Sequence, residues 1–499
     1  MALNGGSWWN PWGSRKSRAQ RRSANRLGVI LESAEARYGS NKYRRPELEL
    51  LDAYYERRQY DHLSPWDAAK DHQGEYVPVR HRAPRLNYNF AKTLTQRVTS
   101  RLLGAKTFPK LVVPEDRDFE FYLRLIQMAS SLQANLLEPC RRSLNTGSCF
   151  VRFHLQNGKF VVEHYLAKYC YPRFRADGEL EAITIMWVYE DPSDVNDRGE
   201  PKEKWYRLDL GEQVDVLYDN PEYEAEQKRE EVPFQVVSTA EHGLGFVQGE
   251  WLRTTMAMRD VDGPGLTEDI TGFIDEINYT LSQSSQAVSY NQDPQLVING
   301  MTEDELEELV RSSQKAWNLG KDGKADFVES DLSGVERAGQ FADRIRLGIS
   351  DIARVVFNDP EKMNMQALSG KAMEIMNAPL VELVDELRPV YGPAVKKLTL
   401  KMGAANIAML ERGEPAPVNV PAGWSPKSLD IQEEWPPIFQ ATMVDLRDKV
   451  QVTALATNAN LISRASGTRY IAKDFNVEDV DAELAAIEAQ PILNPFGAF

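Results

Sequence analysis

Between Leu266 and Tyr290 the sequence places Leu266, Ile270, Phe273, Ile274, Ile277, Leu281 and Val288 on one helical stripe, with Asp, Glu, Asn, Ser and Gln over the remaining surface. At 1.5 Å per residue a helix of this extent reaches roughly 37 Å. That is long for a globular core, so a narrow apolar seam of this length is expected to need partners along its whole run. A second such helix is predicted from the stripe Phe341, Ile345, Ile349, Ile352 and Val356, with Arg337, Arg344, Arg346 and Arg354 off it or beside it. The segment between them reads as a compact α/β insertion. Thr302 and Glu305 form a T-x-x-E capping box for a helix running through Leu306, Leu309, Val310 and Trp317 to Gly320, and Asp322-Gly323 turns the chain into a strand, Ala325 to Glu329.

Upstream, Phe90, Leu94, Val98 and Leu102 recur every four positions after a possible Asn89 N-cap, predicting an amphipathic helix. A second helical stretch, Phe119 to Leu137, is expected to end before Pro139. Strands follow at Cys149–Phe153, Phe160–Val162 and Ile183–Val188, bounded by turns at Asn157-Gly158 and Asp177-Gly178. This part is an α+β domain. Polar, acidic stretches at 191–204 and 219–231 read as solvent-facing loops. Downstream, Asn358-Asp359-Pro360 opens a loop ending at Ser369-Gly370, and the helix-prone stretch after it carries Pro379, Pro389 and Pro393, which predicts a kinked element. Pro415 to Pro426 reads as a linker, and helices are expected around Phe439–Thr457 and Val477–Ala489, with Thr468–Phe475 between them. At the N-terminus Trp8, Trp9 and Trp12 precede Arg15, Lys16, Arg18, Arg21, Arg22 and Arg26, an arm that could reach nucleic acid, a membrane surface or a neighbouring subunit, with packing on its own assembly the plainer reading and no site assigned.

Acidic residues outnumber basic ones by 74 to 59 over 499 residues. A protein that grips DNA by neutralising phosphates carries the opposite excess, so tight general DNA binding is disfavoured, while a surface past which DNA slides is compatible with this balance. Cys140, Cys149 and Cys170 lack CxxC spacing and are too few for a disulfide framework, so they read as buried thiols of a chain made in reducing cytoplasm. The sequence shows neither a membrane-length apolar run nor a secretory h-region.

Catalytic templates fail one by one. Gly320-Lys321-Asp322-Gly323-Lys324 is a lysine-flanked turn without the GxxxxGK[ST] cradle, and Gly243-Leu244-Gly245-Phe246-Val247-Gln248-Gly249 misses the dinucleotide spacing. Neither HExxH nor GxSxG occurs, and His164 and His242 stand alone, so no metal site, cofactor or catalytic residue is assigned. Glu303, Asp304 and Glu305 occupy a first helical turn, where they complement the macrodipole.

The order of several segments is more telling. His242-Gly243-Leu244-Gly245-Phe246-Val247, Gly265-Leu266-Thr267-Glu268-Asp269-Ile270, Ile274-Asp275-Glu276-Ile277-Asn278 and Asp293-Pro294-Gln295-Leu296-Val297-Ile298-Asn299-Gly300 resemble consecutive landmarks of the portal proteins of tailed double-stranded DNA bacteriophages, and Asn358–Leu368 with Ser369-Gly370-Lys371-Ala372-Met373 resembles that family's tunnel loop and kinked tunnel helix. The resemblance extends from about Asn87 to the final helices. It departs at Gln248-Gly249, where the family often has proline, and the tryptophan-rich arm has no counterpart in it.

The resemblance implies an α+β, helix-rich ring subunit: an α/β wing, long stem helices, a small α/β clip and a helical C-terminal crown. By analogy 1–86 would be arm and outer wing, 87–262 wing, 263–292 and 337–357 the two stem helices, 293–336 the clip, 358–369 the tunnel loop, 370–432 tunnel helix and inner wing, and 433–499 the crown. It implies a homododecamer at one capsid vertex of the virion, assembled in host cytoplasm, through which double-stranded DNA passes without sequence specificity. Implied partners are the terminase, the scaffold or major capsid protein and a head-completion adaptor; no membrane is implied. Stem packing would fall to Leu266, Ile270, Ile274, Ile277, Leu281, Phe341, Ile345, Ile349 and Ile352, and partner docking to Glu303, Glu307, Trp317, Lys321 and Lys324. DNA contact would fall to Lys362, Met363, Asn364, Met365 and Gln366, with Arg354 a further candidate. Two other readings stay open: a minor head protein, which would form no ring with a central hole, and a nucleic-acid enzyme, which would hydrolyse nucleotides or hold a carboxylate metal cluster.

Overall fold

The computed structural model describes residues 44–489, apart from 69, 71–72, 197–198, 220–233, 256–260, 293–294, 300–323, 329–332, 357–369, 422–423, 429, 440–442, 473–474, 476 and 478–479. The chain divides into two compact units, Met1–Val355 with Val384–Trp435, and Val356–Leu383 with Pro436–Phe499.

In the first unit, helix α1 (Arg44–Tyr55) buries Leu48, Leu51, Tyr54 and Tyr55. Asn89 caps α2 (Phe90–Leu102), its side-chain oxygen accepting the Lys92 N–H at 2.9 Å, and Phe90, Leu94, Val98 and Leu102 are all buried. The short strand β1 (Lys110–Val112) leads to a helical run that the sequence reading took as one piece. It is three: α3 (Arg117–Ala129), α4 (Leu132–Asn135) and α5 (Leu137–Thr146). The first break falls at Ser131, whose φ of +48° is left-handed and incompatible with a continuing helix. Pro139 ends nothing; it sits in the first turn of α5, where a missing N–H costs no intrahelical bond.

Asn157 and Gly158, both with positive φ, close the hairpin between β2 (Ser148–Gln156) and β3 (Lys159–Leu166). A later strand, β9 (Gly249–Arg253), pairs on the other side of β2 and sets Trp251 opposite Phe150. The five-stranded antiparallel sheet is a meander of β4 (Cys170–Phe174), β5 (Leu180–Val195), β6 (Pro201–Leu210), β7 (Val214–Tyr218) and β8 (Val236–Glu241). Of the stretch 191–204, expected as a loop, residues 191–195 and 201–204 are the far end of the β5–β6 ribbon. Lys204 bridges Asp191 and Asp194 at 2.9 Å each, and Lys202 meets Asp194 at 3.2 Å, so charges that look like loop composition are cross-strand pairs. Leu48, Phe150, Ala167, Cys170, Ile183, Ile185, Leu208 and Trp251 form one core cluster across these elements. All three cysteines are buried, and burial pushes the Cys140 thiol up to about 12. Gly147, φ +84°, ends α5 where a Cβ would lie 1.8 Å from the Gly263 carbonyl oxygen, so the chain can pass there only over glycine.

Two helices and two strands make up the hairpin described below: α6 (Thr271–Gln292), then β10 (Gln295–Asn299) and β11 (Lys324–Val328), then α7 (Ser333–Ile352). Helix α8 (Gly370–Met376) belongs to the second unit, and α9 (Ala378–Glu411) begins there and runs on into the first. The helical run is broken once, between Met376 and Ala378, while Pro389 and Pro393 lie inside one continuous helix of 34 residues. Each removes one i→i−4 bond, but the flanking turns are fixed by buried contacts such as Tyr391 Oη, 2.6 Å from Ser143 Oγ. Residues 415–426 are not a free linker either. Asn406 of α9 donates to Val418 O at 2.8 Å and accepts from Val418 N at 3.0 Å, and Trp424 packs 5.1 Å from the Tyr122 ring, before β12 (Gln432–Glu434) pairs with β1.

The second unit ends in α10 (Met443–Asn458), α11 (Arg464–Ala472) and α12 (Val480–Ala489), each packed on the next. The segment expected between two helices thus carries most of a third. Gly467 lets α11 approach α10, since a Cβ would lie 3.0 Å from Thr457 Oγ1.

Candidate functional site: the helical hairpin

The long helix starts five residues later than its apolar repeat suggests. Leu266 is outside it: its N–H donates to Leu144 O at 2.7 Å, and a single 3-10 turn, Glu268–Ile270, precedes α6. Thr267 is fully buried with its Oγ1 2.7 Å from Asn145 Oδ1, and Ile270 is buried in the same turn. Leu266 and Ile270 therefore root the hairpin in the sheet-bearing unit and are not part of the helical stripe.

Within α6 the buried positions are Ile274, Ile277, Asn278, Tyr279 and Ser282. Polar residues are buried beside apolar ones because segment 54–88 wraps this end of the helix. Tyr54 and Tyr60 donate their hydroxyls to the two oxygens of Asp275 at 2.7 and 2.6 Å. Asn278 Oδ1 accepts the Tyr88 N–H at 2.9 Å, Ser282 Oγ accepts the Leu86 N–H at 2.9 Å, and Tyr279 donates to Arg82 O at 2.8 Å. Tyr60, Trp66 and Tyr279 pack together over this network. Burial raises the Asp275 carboxyl above its ordinary range, and the two phenol hydrogen bonds hold that rise in check. The same burial pushes Tyr279 up to about 12.

The expectation that the seam depends on other copies along its full length is therefore corrected: Ile274, Ile277 and Tyr279 in its first three turns are buried by the chain itself, while Phe273 of the same stripe is 38% exposed. Sequence reasoning named Asp275 and Asn278 only within a family landmark and gave them and Ser282 no anchoring role, although their i, i+3, i+7 spacing puts them on one stripe flanking the apolar one. Farther along the helix, Leu281 and Val288 are half-buried and Tyr290 is 66% exposed.

Helix α7 returns against α6. A Cβ at Gly348 would touch the Phe273 ring at 3.4 Å, so the helices meet there at small-residue distance. Ala342, Ile345 and Ile349 are buried. Phe341 and Ile352, predicted in the same stripe, are exposed, and so is Leu347 at 64%. The reason is geometric: one facing helix covers the positions four apart at 345 and 349, and leaves the flanks of the stripe open. Strands β10 and β11 join the helices as an antiparallel ribbon, Gln295 opposite Val328 and Asn299 opposite Lys324.

Of the docking residues expected in this insertion, Lys324 begins β11, while Glu303, Glu307, Trp317 and Lys321 lie outside the described residues. Lys362, Met363, Asn364, Met365 and Gln366 also lie outside them. Arg354, with φ +52° just after α7, donates to Glu386 Oε1 at 2.7 Å, so this guanidinium already has a carboxylate partner. Among the described residues no three His, Cys, Asp or Glu converge as a metal site, and no helix is long and apolar enough to cross a membrane. His242 Nε2 lies 3.5 Å from Asp215 Oδ1, and burial lowers the pKa of His164.

Residues 38–491 match the family described as phage portal protein, SPP1 Gp6-like. Solved structures similar to the chain include the virion of a native gene transfer agent (GTA) particle, at TM-score 0.40 and 12% identity over 76% of this chain and 89% of that one. The neck of an empty GTA particle computed with C6 symmetry and the neck of a native GTA particle computed with C12 symmetry each give TM-score 0.36 and 11% identity, over 76% of this chain and 89% of theirs. No curated protein matches the chain.

Proposed function

Because the chain belongs to the SPP1 Gp6-like phage portal proteins, a family of structural rather than catalytic head-to-tail connector components of the virion, we propose that twelve copies close into a ring at one capsid vertex and form the channel for DNA packaging and ejection. The observation that carries this reading is the extent of the family match, 38–491, which takes in the sheets, the hairpin and the C-terminal helices together. Two physical features support it. Among the described residues of its own chain nothing covers Leu347, Phe341 and Tyr290 of the hairpin, and such residues are suited to an adjacent copy. A subunit with a formal charge of −15, repeated around a ring, repels phosphate and lets DNA slide.

In this reading α6 and α7 are the stem, and the ribbon between them is the clip that docks the terminase and then the head-completion adaptor through Glu303, Glu307, Trp317, Lys321 and Lys324. The loop 358–369 projects Lys362, Met363, Asn364, Met365 and Gln366 toward passing DNA, an adaptable and mostly uncharged surface. Negative-stain images of the purified chain test the ring directly. Rings with a central hole are expected; compact monomers at high concentration overturn the reading. Removing 358–368 is expected to impair DNA packaging or retention while rings stay intact, and normal packaging by that deletion removes the assigned role of the loop.

A further inference from the structure

The two edges of the five-stranded sheet are treated in opposite ways. At the β4 edge the chain blunts itself: Pro172 removes one donor, and Arg44 of α1 donates to Cys170 O at 2.9 Å and to Ala167 O at 3.1 Å. At the other edge β8 pairs only with β7 among the described residues, and all six of its residues are exposed, with Val236 and Val237 at 58% and 61%. Its register fixes which groups are open. His242 N–H donates to Gln213 O at 3.0 Å, and pairing runs Asp215↔Ala240, Val216↔Thr239 and Leu217↔Ser238. In an antiparallel ladder bonded and non-bonded pairs alternate, so Ala240 and Ser238 exchange bonds with β7 while the N–H and C=O of Thr239 and Glu241 point away from the sheet. A row of open main-chain groups beside two exposed valines is a template for another extended segment.

We propose that β8 receives the N-terminal arm of an adjacent copy, taken up as an extended segment along the open edge. The sequence supplies the complementarity. The arm carries Trp8, Trp9 and Trp12 and the cations Arg15, Lys16, Arg18, Arg21, Arg22 and Arg26, and the acceptor edge carries the carboxylates of Glu241, exposed on β8, and Asp219, which accepts the Gln235 N–H at 2.8 Å. The fold supplies the direction. The described chain begins at Arg44 on the β4 edge, and β8 is the opposite edge, about 19 Å away across four strand spacings. An arm rooted at one edge and an acceptor at the other are the two halves of a head-to-tail contact, which repeats around a closed ring. This inference rests on the ring reading above.

The test uses full-length protein with a photocrosslinking amino acid in place of Trp9, assembled from an equal mixture of isotopically light and heavy chains. Crosslinks from position 9 to residues 236–241 are expected in mixed light–heavy pairs. Replacing Arg15, Lys16 and Arg18 together by Gln, which leaves the folded units untouched, is expected to lower their yield about tenfold. Thr239→Pro removes an outward N–H and is expected to abolish them, with Thr239→Val, which keeps that N–H, behaving as wild type. Crosslinks that map elsewhere, or that join only chains of the same isotope, overturn the proposal. Negative-stain images of the same samples separate the failures: rings without the mixed crosslink overturn the arm alone, and a preparation without rings overturns both readings.

Discussion

The two halves of α6 live in different solvents. Its first half carries Asp275, Asn278 and Ser282, each satisfied by a group from segment 54–88, and it is fixed before any other copy arrives. Its second half shows no such belt among the described residues, and Tyr290 stands 66% exposed. The difference teaches that hydrogen bonds, more than apolar area, orient the hairpin within one chain. Burying the Asp275 carboxylate is costly unless both its oxygens are satisfied, so the two tyrosines specify one helix direction and leave little room for others. The other half leaves Tyr290 exposed, a position suited to completion from outside.

The strongest way to break this contrast is Asp275→Ala, which strands the Tyr54 and Tyr60 hydroxyls in a buried site; a loss of about 3 kcal/mol is expected in urea unfolding followed by tryptophan fluorescence. An unchanged midpoint would mean the network does not hold the helix. Ser282→Ala leaves only the Leu86 N–H without its acceptor, and a loss of about 1 kcal/mol in the same measurement is expected. The pH profile sharpens the picture further. Asp275 faces Tyr54, Tyr60, Arg80 and Glu276, and burial leaves its folded carboxyl above the ordinary range. Between that range and the raised value the native state keeps a proton the unfolded chain has released, so its contribution is full at lower pH and is lost as pH rises through the folded value. Asp275→Asn does not ionise, and its stability relative to wild type is expected to rise across that mildly acidic window; a flat difference would place the carboxyl in water. At the free half, Leu347→Ser is expected to change the stability of the isolated chain by less than about 0.5 kcal/mol. It is also expected to reduce ring formation in negative-stain images, and a large drop in chain stability would show that Leu347 is covered within its own chain.

Much of the fold was legible because its signals are local. Asn89 caps the helix it precedes, Asn157-Gly158 adopts the paired positive φ of a tight hairpin, and Ile274, Ile277, Ile345 and Ile349 lie on stripes that a facing helix covers. What was misread depends on residues far away in sequence. The lysines and aspartates of 191–204 look like a loop until Lys204 is set across from Asp191, and 415–426 looks like a linker until Asn406 and Tyr122 take hold of it. Ser131 breaks a helix that its local pattern would continue. The candidate site divides in the same way: the hairpin was visible, while its anchor on Tyr54 and Tyr60 lies more than two hundred residues upstream of Asp275.

The sequence by itself determined the long paired helices, the acidic balance and the order of segments that marks the family, since periodicity, charge and motif order need no partner to be read. Tertiary structure alone decided where the long helix begins, which half of it is enclosed, and which edge of the sheet is left open. Those outcomes turn on how buried polar groups find distant partners, and a linear pattern carries no record of that pairing.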